Sequence, residues 1–405
     1  MHCFEKLPAS RRIAPPLAGA EPARKLFMQD SDRVKQYHRS RRVLSVIGSI
    51  LDIVLLVLFL ASGWTILLRN FAERVSAHEA VALIVYLALF GLVGKILGLP
   101  LDYYREFKVE HRFELSNLTV RAWAVDQLKG LAVGGVLAIL GLEFVYWTLR
   151  RWPAHWWVIC AVTFIGFFVL LANLAPVLIF PIFFKFKPLE NAALTERLVG
   201  LCTRAHTRVR GVFEWKLSEK SKKANAALTG LGNTRRIILA DTLLEKFSEE
   251  EIEAVLAHEL GHHVRRHIFQ GIVLQAGATF LGFYLADAVL RGATSYFGFR
   301  GIADFANLPL LALALTALSF LLMPLVNTHS RRMERQADEY ALRSIPSTGP
   351  FVSSMEKLAK MNLAERQPPA WIEFIFHSHP SIEKRLTFAE KFARSAESQP
   401  AGHSS

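Results

Sequence analysis

Six stretches of this chain are long and apolar enough to cross a bilayer, and no other feature restricts its fold as strongly. They run from Val43 to Leu68, Ala80 to Leu99, Leu131 to Leu149, Trp156 to Phe184, His267 to Leu290 and Asn307 to Asn327. Each is near the ~20 helical residues that a hydrocarbon core demands. Backbone polar groups in lipid must find partners within the segment, so the runs are expected as helices. The fold class is therefore mainly α, a polytopic membrane helix bundle of about six spans. With 52% hydrophobic and only 20% charged residues, the composition is too apolar for an ordinary soluble enzyme.

The +13 net charge raises the possibility of nucleic acid, but no zinc knuckle, RNP or helix-turn-helix pattern accompanies it. We expect no nucleic-acid partner and read the basic excess as orientation in the bilayer. Cys3, Cys160 and Cys202 form no C-x-x-C pair, so neither a disulfide framework nor a thiolate metal site is expected.

Residues 1–42 form a polar basic arm with Pro15-Pro16, Arg33, Lys35, Arg39, Arg41 and Arg42. It lacks the apolar core and cleavage site of a signal peptide and is read as a flexible cytoplasmic segment. Residues 43–187 hold four spans, with Asp52 and Lys95 inside them as either a bundle-facing pair, snorkelling groups or functional charges. Residues 100–129 read as a polar, amphipathic interfacial loop. Residues 188–405 combine a small α+β unit, two further spans (267–290 and 307–327) and a tail. Within the α+β unit a helix is expected from Asn191 to His206, then strands at Val212–Leu217, Ala224–Leu228 and Arg236–Ala240. Gly230-Leu231-Gly232-Asn233 is the turn between the last two.

The chemistry concentrates in Glu251–His263, E-I-E-A-V-L-A-H-E-L-G-H-H. Ser248 and Glu251 form a capping box and Phe247 with Ile252 a hydrophobic staple, so this stretch is a helix on local grounds alone. On it His258 and His262, four apart, project from one face and can share a metal ion. Glu259, about 100° around, can reach a water activated by that metal without ligating it. In zinc peptidases of this plan an edge strand beside the metal helix accepts extended substrate; Ala224, Asn225 and Ala226 are the candidates, against the plainer role of covering the helix.

Such sites take three protein ligands. A metzincin would place glycine at 265 and histidine at 268, where this chain has Arg265 and Ile268. On a continuous helix His263 and His267 point about 140° and 180° away from His258 and read as structural or interfacial. In Asn327-Thr-His-Ser-Arg-Arg-Met-Glu334-Arg-Gln-Ala-Asp338, Glu334 and Asp338 stand four apart, so one can ligate while the other orients a ligand. On spacing alone an ordinary charged helix surface is the better reading.

The N-x-x-S-R-x-x-E-x-Q-A-D run together with H-E-L-G-H-H resembles the CAAX prenyl protease family of integral-membrane zinc metallopeptidases. Pro181–Leu189, Phe113–Lys129 with Asp126 and Lys129, and His379-Pro-Ser-Ile-Glu-Lys-Arg385 are similar to further family segments, so the likeness runs from about residue 35 to about residue 390. It implies a zincin-like (gluzincin) catalytic unit holding one Zn2+ per chain on His258, His262 and Glu334. Glu259 is then the general base, Asp338 orients a ligand, and His379 with Arg385 positions substrate or transition state. The family has seven spans around an intramembrane chamber, whereas this sequence offers six.

The resemblance implies a metalloendopeptidase acting on a peptide or protein, lipidated or not, since eukaryotic members remove the last three residues after a prenylated cysteine. The alternative is a membrane quality-control endopeptidase of the heat-shock type; a third is a non-catalytic scaffold, whose mark would be a missing ligand or base. Compactness and a C-terminus without a retention signal point to a bacterial inner membrane. The basic residues place the zinc site on its cytoplasmic face.

Overall fold

The computed structural model describes residues 20–230 and 234–397, with side chains described over 32–395. The first part of the basic arm, the turn residues 231–233 and the extreme tail lie outside the described residues. Helix α1 (Ala20–Ala61) is followed by the short α2 (Trp64–Val75), α3 (Glu79–Arg112), α4 (Val120–Arg151) and α5 (Trp156–Phe183). Then come β1 (Phe186–Pro188), α6 (Ala192–Arg204), β2 (Val212–Trp215), β3 (Ala226–Thr229), β4 (Arg236–Ala240) and α7 (Asp241–Lys246). The chain continues through α8 (Glu249–Val264), α9 (His267–Ala293), α10 (Leu308–Ser344), α11 (Gly349–Met361), α12 (Ala370–Phe376) and α13 (Ile382–Glu397). Among the described residues six helices are long and apolar enough to span a membrane: α1 from Asp32, α3, α4, α5, α9 and α10.

Helices α3, α4, α9 and α10 outrun the apolar stretches that announce them, whereas the first stretch, expected as one span to Leu68, is broken at Gly63 (φ 71°), where α1 ends and α2 starts. The expected loop over 100–129 is mostly helical, because α3 continues to Arg112, with a π-helical turn at Tyr103–Lys108, and α4 starts at Val120. Its charges are satisfied along and between these helices rather than by a loop. Lys95 Nζ donates to Asp102 (2.9 Å) and Gln127 (2.7 Å), and Gln127 donates to Glu106 (2.9 Å). Lys95 is thus paired within α3 and to α4, while Asp52 is exposed. The arm behaves likewise: residues 20–42 belong to α1, whose Arg41 reaches Glu110 (2.5 Å), whose Arg42 reaches Glu365 (2.6 Å) and whose buried Tyr37 packs edge-on against Phe113.

The membrane bundle closes on large aromatic groups. Tyr86, Tyr146 and Trp156 are buried together, and each polar tip has a partner: Thr65, Asn307 (2.7 Å) and Asp287 (2.6 Å) respectively. Arg69 and Asp304 form a buried ion pair beside them.

The four strands assemble in the order β1-β2-β4-β3, with β2 and β4 parallel and the outer pairs antiparallel. This sheet, α6, α11 and α13 surround α8 in one core that includes Leu198, Leu239, Leu256 and Phe351. Helix α8 is buried from Glu251 to His258 and again at Leu260 and Gly261, with its buried acids paired, Glu251 to Lys357 and Glu253 to Arg197. Its start is held locally. Ser248 Oγ accepts from the Glu251 N–H (3.3 Å), and Glu251 Oε2 accepts from the Ser248 N–H (2.8 Å). Its end is abrupt, because Arg266 adopts a left-handed conformation (φ 56°) and α9 begins at once. Both α9 and α10 belong to the membrane bundle, so α8 and the last turns of α10 meet at one membrane face.

Candidate metal centre

His258 and His262 stand on successive turns of α8 with their Nε2 atoms 3.3 Å apart. Across from them α10 presents Glu334, whose Oε2 lies 3.4 Å from His258 Nε2 and whose Oε1 lies 3.3 Å from His262 Nε2. The three residues form a metal-competent group. Two ligands of a tetrahedral ion with bonds of about 2.0–2.1 Å are about 3.3–3.4 Å apart, which is the separation found here. Among the described residues Glu334 Oε2 is moreover buried without a hydrogen bond, an arrangement that a cation relieves. The residues therefore fit a metal ion.

The imidazole of His258 is oriented from behind. Its Nδ1 lies 2.9 Å from Asp338 Oδ1, and Asp338 is itself clamped by Arg385, with Nε at 2.9 Å and Nη2 at 2.5 Å. Burial pushes the His258 pKa down, but the hydrogen bonds to Asp338 and Glu334 outweigh it and lift the value to about 9. The carboxylates thus favour a cation in this spot, proton or metal. Arg385 also lies 3.3 Å from His258 Nδ1, but when Nε2 ligates, Nδ1 carries the hydrogen given to Asp338 and cannot accept. Arg385 acts here through Asp338.

Glu259 is half-buried and, among the described residues, has no hydrogen-bond or ion-pair partner in the chain. His379 brings Nδ1 to 2.8 Å from Glu334 Oε2, off the line of a hydrogen bond, and its side chain is 63% exposed. The segment carrying His379 is fastened to α10. Arg331 donates to the carbonyls of Glu373 (2.9 Å) and His377 (2.6 Å), Asn327 to that of Ile375 (2.5 Å), and Glu373 accepts from the Ser381 N–H (3.2 Å). Asn327, Arg331 and Glu373 went unassigned on sequence alone, although the first two belong to the run that drew attention to Glu334.

The edge strand begins later than expected. Strand β3 is Ala226–Thr229, and both the N–H and the C=O of Ala224 are occupied by the Asn362 side chain (3.0 and 3.1 Å). Ala224 therefore has no backbone group for a substrate. Asn225 faces β4, where its carbonyl accepts from Ala240, so by strand alternation Ala226 and Leu228 turn their backbone groups to the open edge. The Leu228 carbonyl accepts from His263 (3.1 Å), which ties the edge strand to α8 and gives His263 its structural role. His267 corrects the expectation that it points away. Because α8 ends before it, the ring folds back with Nδ1 3.1 Å from His262 Nδ1 and Nε2 2.8 Å from Gln336 Oε1.

Known proteins resemble this chain over most of its length. The model of peptidase family M48 matches residues 188–393, and that of the CAAX prenyl protease N-terminal region, described as five membrane helices, matches residues 15–185. The chain is 31% identical to the uncharacterized metalloprotease YhfN of Bacillus subtilis, over 94% of this chain and 90% of that one. It is 29% identical to CAAX prenyl protease 1 of Saccharomyces cerevisiae, over 87% and 84%. The crystal structure of S. mikatae Ste24p superimposes with a TM-score of 0.78 at 26% identity, covering 89% of each chain.

Proposed function

The chain belongs to peptidase family M48 and is an integral-membrane metalloendopeptidase; from that premise we propose that His258, His262 and Glu334 hold one Zn2+ and that Glu259 is the general base. The observation that carries the reading is the ring of 3.3–3.4 Å separations beside the Glu259 carboxylate, which has no partner among the described residues. When bound, zinc would polarise the scissile carbonyl and acidify a water. Glu259 takes a proton as the water oxygen bonds to the carbonyl carbon, and returns it to the departing nitrogen as the C–N bond breaks. Asp338, fixed by Arg385, holds the His258 ring with Nε2 toward Glu334. The open backbone groups of Ala226 on β3 would align an extended peptide.

We assign residues 1–42 to a basic arm, 43–187 to a membrane unit and 188–405 to the peptidase unit. The substrate we favour is a lipidated C-terminal peptide, as the relatives' name of CAAX prenyl protease suggests; the site lies where the membrane helices meet the catalytic unit. Purified protein given one peptide with and without a farnesyl group should cleave the farnesylated form faster, and chelator should stop both. Equal rates would favour membrane quality control, and no metal-dependent cleavage would favour a scaffold.

We place the protein in a bacterial inner membrane with the zinc site cytoplasmic, in line with the Bacillus relative and with Arg265, Arg266, Arg331 and Arg332 on the site's side. The basic excess then serves orientation, without a nucleic-acid partner. A cysteine at the exposed Ser347 should react only from the cytoplasmic side, and labelling from outside alone would reverse the topology.

His379 is assigned to the oxyanion. It stands against Glu334 with most of its ring open. His377 instead sits among Glu365, Glu373, Arg42 and Arg331. His379→Ala should retain metal and lower kcat by roughly 10²- to 10³-fold with little change in KM. His377→Ala should be much milder. Matching turnover in the two variants would remove His379 from the mechanism.

A further inference from the structure

The two histidines of the metal group are oriented by chemically different partners. His258 leans on a carboxylate, whereas His262 leans on another imidazole, His267, which in turn rests on a neutral amide. We infer that His267 and Gln336 form a positioning relay that sets the tautomer and aim of His262, an inference that rests on His262 being a metal ligand through Nε2.

The direction of every hydrogen in the relay follows from valence. A neutral imidazole carries one N–H, so an Nε2 that gives its lone pair to a metal leaves the hydrogen on Nδ1. His262 Nδ1 then donates to His267 Nδ1 at 3.1 Å, which leaves the His267 hydrogen on Nε2. That Nε2–H donates to Gln336 Oε1 at 2.8 Å, and an amide oxygen can only accept. The chain ends there with all four ring nitrogens used.

Burial adds to this. His267 is 3% exposed, so a ring nitrogen left unused there would have no water to replace its partner. The backbone is shaped for the contact, since the left-handed Arg266 turns the chain so that the first residue of α9 lies beside the last full turn of α8. Gln336 lies between Glu334 and Asp338 on α10. One helix therefore supplies a ligand, the group that orients His258 and the end of the relay that orients His262.

Removal of such a partner of a ligating histidine weakens metal binding by about 10- to 100-fold. The test is zinc affinity of the purified full chain by competition with a chromophoric chelator, alongside thermal unfolding of the chelator-stripped protein. His267→Ala should weaken zinc binding by roughly 10- to 100-fold. Gln336→Leu, at an exposed and therefore replaceable position, should weaken it in the same direction without changing the unfolding temperature of the stripped protein. Gln336→Glu, which keeps an acceptor oxygen, should restore near-wild-type affinity. Wild-type affinity in His267→Ala, or equal losses in Gln336→Leu and Gln336→Glu, would overturn the relay. Failure of the metal reading itself is separable, because zinc would then bind His262→Ala as well as wild type.

Discussion

Glu259→Gln is expected to lower peptide hydrolysis by roughly 10²- to 10⁴-fold or more while zinc remains near one per chain, and Glu334→Ala to lose both. The two glutamates differ in what surrounds them. Glu334 is 5% exposed, within 3.4 Å of both histidine nitrogens, and no other residue of α10 brings an oxygen between them. Glu259 is half-buried on the neighbouring face of α8 and uses neither oxygen within the described chain. Glutamine preserves its volume and removes its basicity, so binding should persist where catalysis does not. Metal analysis and turnover on the same preparations decide the matter. Zinc and activity both retained in Glu334→Ala would move the third ligand to Asp338 or Glu339. Near-normal turnover in Glu259→Gln would leave another group as base.

What could be read before the structure follows from how local each signal is. The start of α8 was legible because a capping box and an apolar residue on either side act within one turn, and β4 because Arg236–Ala240 is a short apolar run with a turn signal before it. The ends of the spans were not. Helices α3 and α4 extend through a polar stretch because Lys95, Asp102, Arg105, Glu106 and Gln127 satisfy one another at helical spacings and between helices, which a hydropathy window does not register. Within the site, His258 and His262 were found by type and spacing and Glu334 through the resemblance of its run to a family segment, and the fold brings the three together. His267 was misplaced because counting 100° per residue presumes an unbroken helix, and nothing about Arg266 announces a left-handed residue. Gln336 belongs to the run quoted for Glu334 but was given no role, since its partner His267 is far away in sequence. Asn362, which occupies both backbone groups of Ala224, is far away in sequence and carries no local signal.

Gly261→Ala should be the most damaging substitution that touches no ligand. A methyl group at Gly261 would lie 2.8 Å from Ala337 Cα, 3.0 Å from its carbonyl oxygen and 3.2 Å from its Cβ. Carbon atoms rest at about 3.5–4.0 Å, and backbone atoms cannot swing aside as a side chain can. Helices α8 and α10 must therefore separate. Such overpacking costs about 1–3 kcal/mol, against a gain of up to about 1 kcal/mol from alanine's better helix propensity. Glu334 lies three residues before Ala337 on the same helix, so the separation carries it away from His258 and His262, and metal sites tolerate only about 0.2 Å in bond length. We expect a lower unfolding temperature and a zinc affinity reduced by at least about tenfold, comparable to the loss of an orienting partner. Ala337→Gly added to Gly261→Ala removes the 3.2 Å contact but leaves the two shorter ones, so it should recover only part of the affinity. Full recovery would mean that the Ala337 methyl alone sets the spacing. A stabilised single variant with normal zinc binding would mean that the helices have room to spare, and that the distance between α8 and α10 is not what places Glu334.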